Sequence, residues 1–380
     1  MSAGSLTRMA TGEFDREFGE ILRRAVLREG ITATEIERLL MAGGDEISEL
    51  ALAADCARRL DVGEIVTYVR NRNINFTNVC VGSCAFCGFR RDPDDPDAYV
   101  LSSTQIRSKV AEALRAGATE ICLQGGLHPD FGLDDYLRIL KTVRSVSETV
   151  HIHAFSPAEI DHICRQEGMD VHEVLLALRE SGLDSVPGTA AEVLSDRVRE
   201  IICPRKMKTL RWVEIFKACH SLGLPTSSTI MYGTVETPAE RAEHMLLLRE
   251  IQLETGGFTE FVLLPFVSPK TPLGKMGAKS PDLIDSLRMH AVARLVLGDV
   301  IKNIQTSWVK LGLEGARVML MAGANDLGGT LMEENITRAA GRAVECASAE
   351  ELERIALKAG RVPAERTTTY RLLKISNLCG

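Results

Sequence analysis

The strongest constraint on the fold is an alternation that runs through most of the chain. Short apolar stretches, each long enough for one strand, are separated by amphipathic segments with helix-start signals. The stretches fall at 73–78, 119–124, 150–155, 185–187, 226–232, 260–266, 303–307 and 318–321. Capping boxes open three of the intervening helices: SSTQ at 102–105, SPAE at 156–159 and TPAE at 237–240, the last two with Pro at the first helical position. Strands that alternate with helices read as βα units on a parallel sheet, and eight such units match the (β/α)8 barrel. The expected fold is therefore α/β, a (β/α)8 TIM barrel over 71–340. Residues 1–70 read as an N-terminal helical extension covering the barrel, with Thr32 and Glu35 as a capping box. Residues 341–380 read as a C-terminal helical tail packing on the barrel, with a helix start at Ser348.

The predicted strands carry an unusual inner face. Successive strand side chains point to opposite sides. Asn73, Asn75 and Thr77 share one face against Ile74 and Phe76. Glu120, Cys122 and Gln124 oppose Ile121 and Leu123, and His151 and His153 oppose Ile152 and Ala154. Asn303, Gln305 and Ser307 repeat the pattern. The apolar face belongs against the outer helices, so the polar face lines the lumen. Ordinary barrels fill that lumen with Val, Ile and Leu. Leaving a buried polar group without a partner costs roughly 1–3 kcal/mol. Such a lumen is either an internally bonded network or a cavity for a polar ligand, and His153 is a candidate catalytic residue within it.

Directly after the first predicted strand come Cys80, Cys84 and Cys87, spaced C-x-x-x-C-x-x-C. Ten cysteines in 380 residues are too sparse for a disulfide scaffold, and the other seven lie scattered. Thiolates hold iron–sulfur clusters, usually four to a cluster. Three on one loop leave one iron of a 4Fe-4S cubane open to a small molecule. That is what radical S-adenosylmethionine (SAM) chemistry requires: the open iron chelates the amino and carboxylate groups of the methionine part. Zinc would ask for four ligands, and no histidine follows within 40 residues of Cys87. A non-catalytic metal-binding scaffold is the alternative from another class.

Other candidates sit at strand ends, where barrel active sites form. Gln124, Gly125 and Gly126 offer a backbone edge to a cofactor. Ser156 and Thr189 follow the third and fourth strands, and Glu192 carries a carboxylate suited to a ribose or an amino group. Tyr232 ends the fifth strand. Asn325 and Asp326 lie in a Gly-rich loop read as following the eighth strand, a substrate loop without a P-loop lysine. The acidic loop RDPDDPD (91–97) is a solvated turn or a flap over the cluster.

The formal net charge is −7, aromatics make up 5 %, and no basic stripe is visible, which argues against nucleic acid as a partner. No apolar run reaches the ~20 residues a membrane helix needs, and the first residues lack a secretory signal. A cytoplasmic location is expected.

The motifs CVGSCAFCGFR, QGGLHP, HAFSP, PGTAAE, MYG, GANDLGGTLMEENI and AGRVPAERTTTY, spread over 65–370, resemble one branch of the radical SAM family. That branch holds the two halves of FO synthase and the two futalosine-pathway menaquinone enzymes, aminofutalosine synthase and the dehypoxanthine futalosine cyclase. FRR after the cluster loop, QGGLHP and GGT resemble the FO synthase subunit 2 family most. Gly88 departs mildly from the alanine frequent in relatives. The resemblance implies a barrel of the radical SAM type, a 4Fe-4S cluster on Cys80, Cys84 and Cys87, and SAM as co-substrate. It implies a transferase that breaks the Cα–Cβ bond of L-tyrosine, releases 2-iminoacetate, and joins the 4-hydroxybenzyl group to 5-amino-6-(D-ribitylamino)uracil, in coenzyme F(420) biosynthesis. It further implies FO synthase subunit 1 downstream and a ferredoxin- or flavodoxin-type electron donor.

Overall fold

The computed structural model describes residues 16–342 and 346–376; the first fifteen residues of the expected extension and Cys379 lie outside them. The strands are Ile65–Val69 (β1), Asn71–Ile74 (β2), Glu120–Leu123 (β3), His151–Ala154 (β4), Thr226–Tyr232 (β5), Phe258–Pro265 (β6), Asn303–Thr306 (β7), Asp326–Gly329 (β8), Val362–Arg366 (β9) and Leu372–Ile375 (β10). They form a seven-stranded sheet, β10-β9-β1-β8-β7-β6-β5, and a three-stranded sheet, β2-β3-β4. Two links join the sheets. β1 runs on into β2 through Arg70, and single parallel bridges carry His153 to Ser185 and Val186 to Thr226. Parallel pairing therefore passes round eight positions, β1/β2, β3, β4, 185–186, β5, β6, β7 and β8, in the (β/α)8 arrangement, thinned to single bridges at the fourth.

All five capping boxes read from the sequence form, at Thr32, Ser102, Ser156, Thr237 and Ser348. Each satisfies backbone donors that a helix start leaves open. The outer helices bury aliphatic side chains against the apolar strand faces, with Ile74, Ile121, Ile152, Ile230, Leu263 and Ile304 fully enclosed. Each such side chain contributes about 1.5–3 kcal/mol.

Three expectations need correction. First, the eighth strand is not 318–321. Those residues fall in and just after the helix Leu313–Leu320, which buries Ala316, Met319 and Leu320, and the strand is Asp326–Gly329. Its two glycines are required by packing: a Cβ on Gly328 would lie 2.5 Å from Gln305 Nε2, and one on Gly329 would overlap the Asn71 amide. Second, the first strand begins at Ile65, inside the expected helical extension. Third, the tail is not helical throughout. After the helix Ala349–Lys358 it adds β9, parallel to β1, and β10, antiparallel to β9.

The N-terminal helices Arg16–Val26, Ala33–Leu40 and Glu46–Val62 pack on the helix Leu283–Leu297, whose residues from Met289 to Leu297 are all buried. A helix apolar most of the way round needs cover on both sides, which these helices supply. Asp61 fixes the join through ion pairs to Arg28 and Arg294. Among the described residues no helix is long and apolar enough to cross a membrane.

Candidate active site

At the carboxyl end of β2 the chain enters the cysteine loop. The loop is held by backbone bonds rather than by regular structure. Cys80 N donates to Arg91 O at 3.1 Å, Ala85 N to Ile202 O at 2.7 Å, and Leu273 N to Ala85 O at 2.7 Å. Cys80, Cys84 and Cys87 all line one cavity of about 380 Å³ at the mouth of the strand ring. A Cβ on Gly82 would lie 3.1 Å from Cys80 Sγ and 3.9 Å from Cys84 Sγ, so these two sulfurs flank one spot. Cys87 N closes the second turn onto Cys84 O at 3.1 Å.

No three Cys, His, Asp or Glu side chains among the described residues gather closely enough to hold a single ion. Zinc asks for four ligands on one centre, whereas a cubane takes each of these three thiolates on a different iron. Burial pushes the Cys84 thiol up to about 12, opposed by the Lys206 ammonium. Lys206 is itself disfavoured by burial, yet Cys84 and its ion pair with Glu192, at 2.6 Å, raise it above the usual lysine range. A cation beside the trio favours thiolates, the ligand form.

All six cofactor-binding candidates, Gln124, Gly125, Gly126, Ser156, Thr189 and Glu192, line this cavity with the cysteines. Gly125 lies flat on the Phe76 ring, where a Cβ would come within 2.5 Å, and Gly126 lies against the Val79 carbonyl. The Gly-Gly turn and the cysteine loop therefore touch through backbone, which only glycine allows. Glu159 ties the turn to the next helix. Its carboxylate accepts from Gly125 N at 3.0 Å, Ser156 N at 2.6 Å and Ser156 Oγ at 2.8 Å. Burial raises it to about 7 against these bonds. Gln124 Nε2 donates to Thr189 Oγ1 at 2.8 Å. Ala190 and Glu192 hold positive φ, +66° and +48°. Non-glycine residues held there cost of order 1–3 kcal/mol and concentrate at ligand clamps.

The inner polar face is real. Asn73, Asn75, Gln124, Gln305 and Ser307 are in the cavity wall. Asn73 Oδ1 and Asn75 Oδ1 are buried without a hydrogen-bond partner, so the wall presents acceptors to whatever enters.

The four catalytic candidates lie outside that wall, and each has another role. His153 Nδ1 and His151 Nε2 both meet Ser185 Oγ at 2.7 Å, and burial lowers His153 to about 4. Tyr232 is buried, with the Arg241 guanidinium 5.7 Å over its ring. Asn325 Oδ1 accepts from Arg294 Nη2 at 2.5 Å and Ile304 N at 2.8 Å. Asp326 starts β8, at the opposite end of the ring from the cysteines. It accepts from Thr67 Oγ1 at 2.5 Å, Arg366 Nε at 2.6 Å, Arg366 Nη2 at 3.0 Å and Gly328 N at 2.7 Å. Together with Thr368, which donates to Glu120 at 2.7 Å, and Tyr370, 3.9 Å from the Arg366 guanidinium, this ion pair floors the lumen. Of the loop read as binding substrate, Leu327 and Gly329 are in the cavity wall, and Leu331, Glu334, Ile336 and Thr337 extend that wall beyond β8. The acidic 91–97 loop pairs Arg91 with Asp97 at 2.7 Å in solvent and stays off the cavity.

Lys206, Glu159, Lys310 and Glu334 are wall residues that sequence reasoning did not place. Lys206 sits in one of four adjacent basic pairs, with Arg205, so its sequence context did not single it out; Glu159 appeared only as a helix cap.

Residues 74–248 match the radical SAM superfamily, and residues 255–378 match the CofH/MqnC C-terminal region. Solved structures share the fold at low identity. Methylornithine synthase (PylB) superposes with TM-score 0.70 at 20 % identity, covering 90 % of this chain and 97 % of that one. The hydrogenase maturase HydG gives 0.73 at 15 %, covering 96 % and 79 %. The fold and the cysteine-lined mouth thus define a radical SAM enzyme, a class that uses a 4Fe-4S cluster and SAM. Within that class the chain belongs to the family of 5-amino-6-(D-ribitylamino)uracil–L-tyrosine 4-hydroxyphenyl transferases, FO synthase subunit 2. The Methanosarcina barkeri member is 52 % identical over 328 residues, 85 % of this chain and 86 % of that relative. The Archaeoglobus fulgidus member is 52 % identical over 321 residues, 84 % and 92 %. The Cyanothece sp. member is 45 % identical over 381 residues, 96 % and 100 %.

Proposed function

We propose that this chain joins the 4-hydroxybenzyl group of L-tyrosine to 5-amino-6-(D-ribitylamino)uracil, with release of 2-iminoacetate, methionine and 5′-deoxyadenosine. The observation that carries the reading is the near full-length identity to transferases bearing that name, 45 % over 96 % of this chain in one case. It favours this activity over the futalosine-pathway enzymes and over a non-catalytic scaffold.

When bound, the cluster and SAM supply a 5′-deoxyadenosyl radical. The protein's part is positional. Cys80, Cys84 and Cys87 would hold the cluster, with Lys206 offsetting thiolate charge beside Cys84. Gly125 and Gly126 offer a backbone edge, kept in place by Glu159, to the methionine part of SAM. Ser156, Gln124, Thr189 and Glu192, which line the same cavity, would hold the nucleoside part. Asn73, Asn75, Gln305 and Ser307 face two substrates rich in amide, hydroxyl and zwitterionic groups. FO synthase subunit 1 would consume the product, a ferredoxin or flavodoxin would supply the electron, and the setting would be the cytoplasm.

The test is anaerobic incubation of the reconstituted enzyme with SAM, dithionite, tyrosine and the ribityl diaminouracil. The expected result is the uracil adduct together with 2-iminoacetate, read as its hydrolysis product glyoxylate. SAM cleavage without either product would refute the transferase reading.

A further inference from the structure

Four cationic side chains line the cavity: Arg90, Arg205, Lys206 and Lys310. Three are engaged. Arg90 Nε donates to Cys80 O at 3.0 Å, Arg205 Nη1 to Val81 O at 3.2 Å, and Lys206 pairs with Glu192. Among the described residues, the Lys310 ammonium has neither a hydrogen bond nor an ion pair. It sits in the short helix Trp308–Leu311 that follows β7, and β7 stands four places round the eight-position ring from β4. Ser156 and Glu159, on the cofactor side, follow β4. Lys310 therefore faces the cavity from the wall opposite Ser156 and Glu159.

An ammonium in a cavity wall with no ion pair is costly to keep. Burial pushes Lys310 below the ordinary lysine range, while the Glu334 and Glu192 carboxylates pull it back and Arg342 opposes them. A bound anion would remove that cost. Of the reactants in the proposed reaction, two carry a carboxylate. That of SAM belongs on the open iron, at the cysteine side. The diaminouracil has none. The carboxylate left to match an unpaired cation on the far wall is that of tyrosine.

We propose that Lys310 anchors the α-carboxylate of the amino-acid substrate. The assignment rests on the transferase reading and adds a specificity-determining contact to it. Held there, the amino acid lies across the cavity from the cofactor side, with its amino group and side chain free to face the lumen. Asn73 Oδ1 and Asn75 Oδ1, without partners, are acceptors of the kind its N–H and O–H donors need.

The test compares tyrosine with tyramine, which lacks only the carboxylate, by anaerobic equilibrium dialysis on the cluster-loaded enzyme. One charge-assisted contact corresponds to a preference of about ten- to a hundredfold for tyrosine. Lys310→Gln should lose that preference by weakening tyrosine alone. Lys310→Arg should retain most of it. A loss confined to tyrosine, with tyramine binding unchanged in both variants, is what a merely structural role would not produce. The proposal is overturned if Lys310→Gln keeps the parent's preference, or if the parent itself binds tyramine as tightly as tyrosine, an outcome that needs no variant. A parent that binds neither amine refutes the transferase reading instead, and the Lys310 assignment falls with it.

Discussion

Replacing Arg366 by Met separates a structural floor from a catalytic group. Asp326 has 0 % exposed surface, so its charge has no solvent to fall back on. The substitution removes the 2.6 Å and 3.0 Å bonds from Arg366 and leaves the carboxylate with Thr67 and the Gly328 amide. Removing one partner of a buried pair costs about 3–5 kcal/mol, because the other charge stays buried alone. Unfolding entropy near 2.1 cal/mol/K per residue, over 380 residues, gives about 0.8 kcal/mol/K. The expected fall in Tm is therefore about 4–6 °C, read by circular dichroism on the cluster-free protein. Asp326→Asn should fall comparably, since it leaves the guanidinium unpaired. Asp326→Leu combined with Arg366→Met should recover part of the loss, because no isolated charge remains. Well below their melting points all three should still cleave SAM after cluster loading, as neither residue reaches the cavity. A Tm shift under about 1 °C for Arg366→Met, or loss of SAM cleavage in folded Asp326→Asn, would show the assignment to be wrong.

Cys84→Ala should abolish both the brown chromophore and SAM cleavage, and retention of either contradicts the ligand assignment. Gly126→Ala drives a Cβ into the Val79 carbonyl and to within 2.9 Å of Cys80 Cβ; iron content after reconstitution should drop several-fold, and an unchanged content would mean the turn does not brace the loop. Glu260→Gln should stabilise increasingly with pH. Burial raises Glu260 to about 8 from an ordinary value near 4.5, aided by Asp326 and Glu120 and opposed by Arg366. The native state thus holds a proton that the unfolded chain releases between those values, so the parent loses stability as pH rises from 4.5 to 8. The gain from Gln should be below about 1 kcal/mol at pH 5 and reach up to about 4–5 kcal/mol by pH 9, at 1.36 kcal/mol per unit. Urea unfolding at the two pH values checks it, and a pH-independent difference refutes it.

What the sequence discloses follows from how local each signal is. The cysteine spacing, the Gly-Gly turn and the capping boxes are fixed within a few residues, and they formed where expected. The inner polar face was legible because strand period two needs no tertiary knowledge. β8 was not: Asp-Leu-Gly-Gly has no β-branched residue, and its glycines make sense only once Asn71 and Gln305 are known to crowd them. Asp326 read as catalytic because a carboxylate beside glycines resembles a ligand loop; its partner Arg366 is 40 residues away and invisible to local patterning. Lys310 and Lys206 were missed for the same reason, since each is placed in the cavity by how its loop folds over the strand ends.

The broken first strand has a consequence for how the molecule is assembled during synthesis. β1 pairs with β9 residue for residue, Ile65 with Val362 through Tyr68 with Glu365. Nearly three hundred intervening residues must leave the ribosome before that edge is covered, and loop closure over such spans makes folding slow. A nascent chain stalled before Val362 would carry an uncapped strand edge and an unneutralised Asp326 beneath an otherwise assembled wall. Such an intermediate invites pairing with a second chain, so chaperone dependence should be greatest in the last stretch of translation.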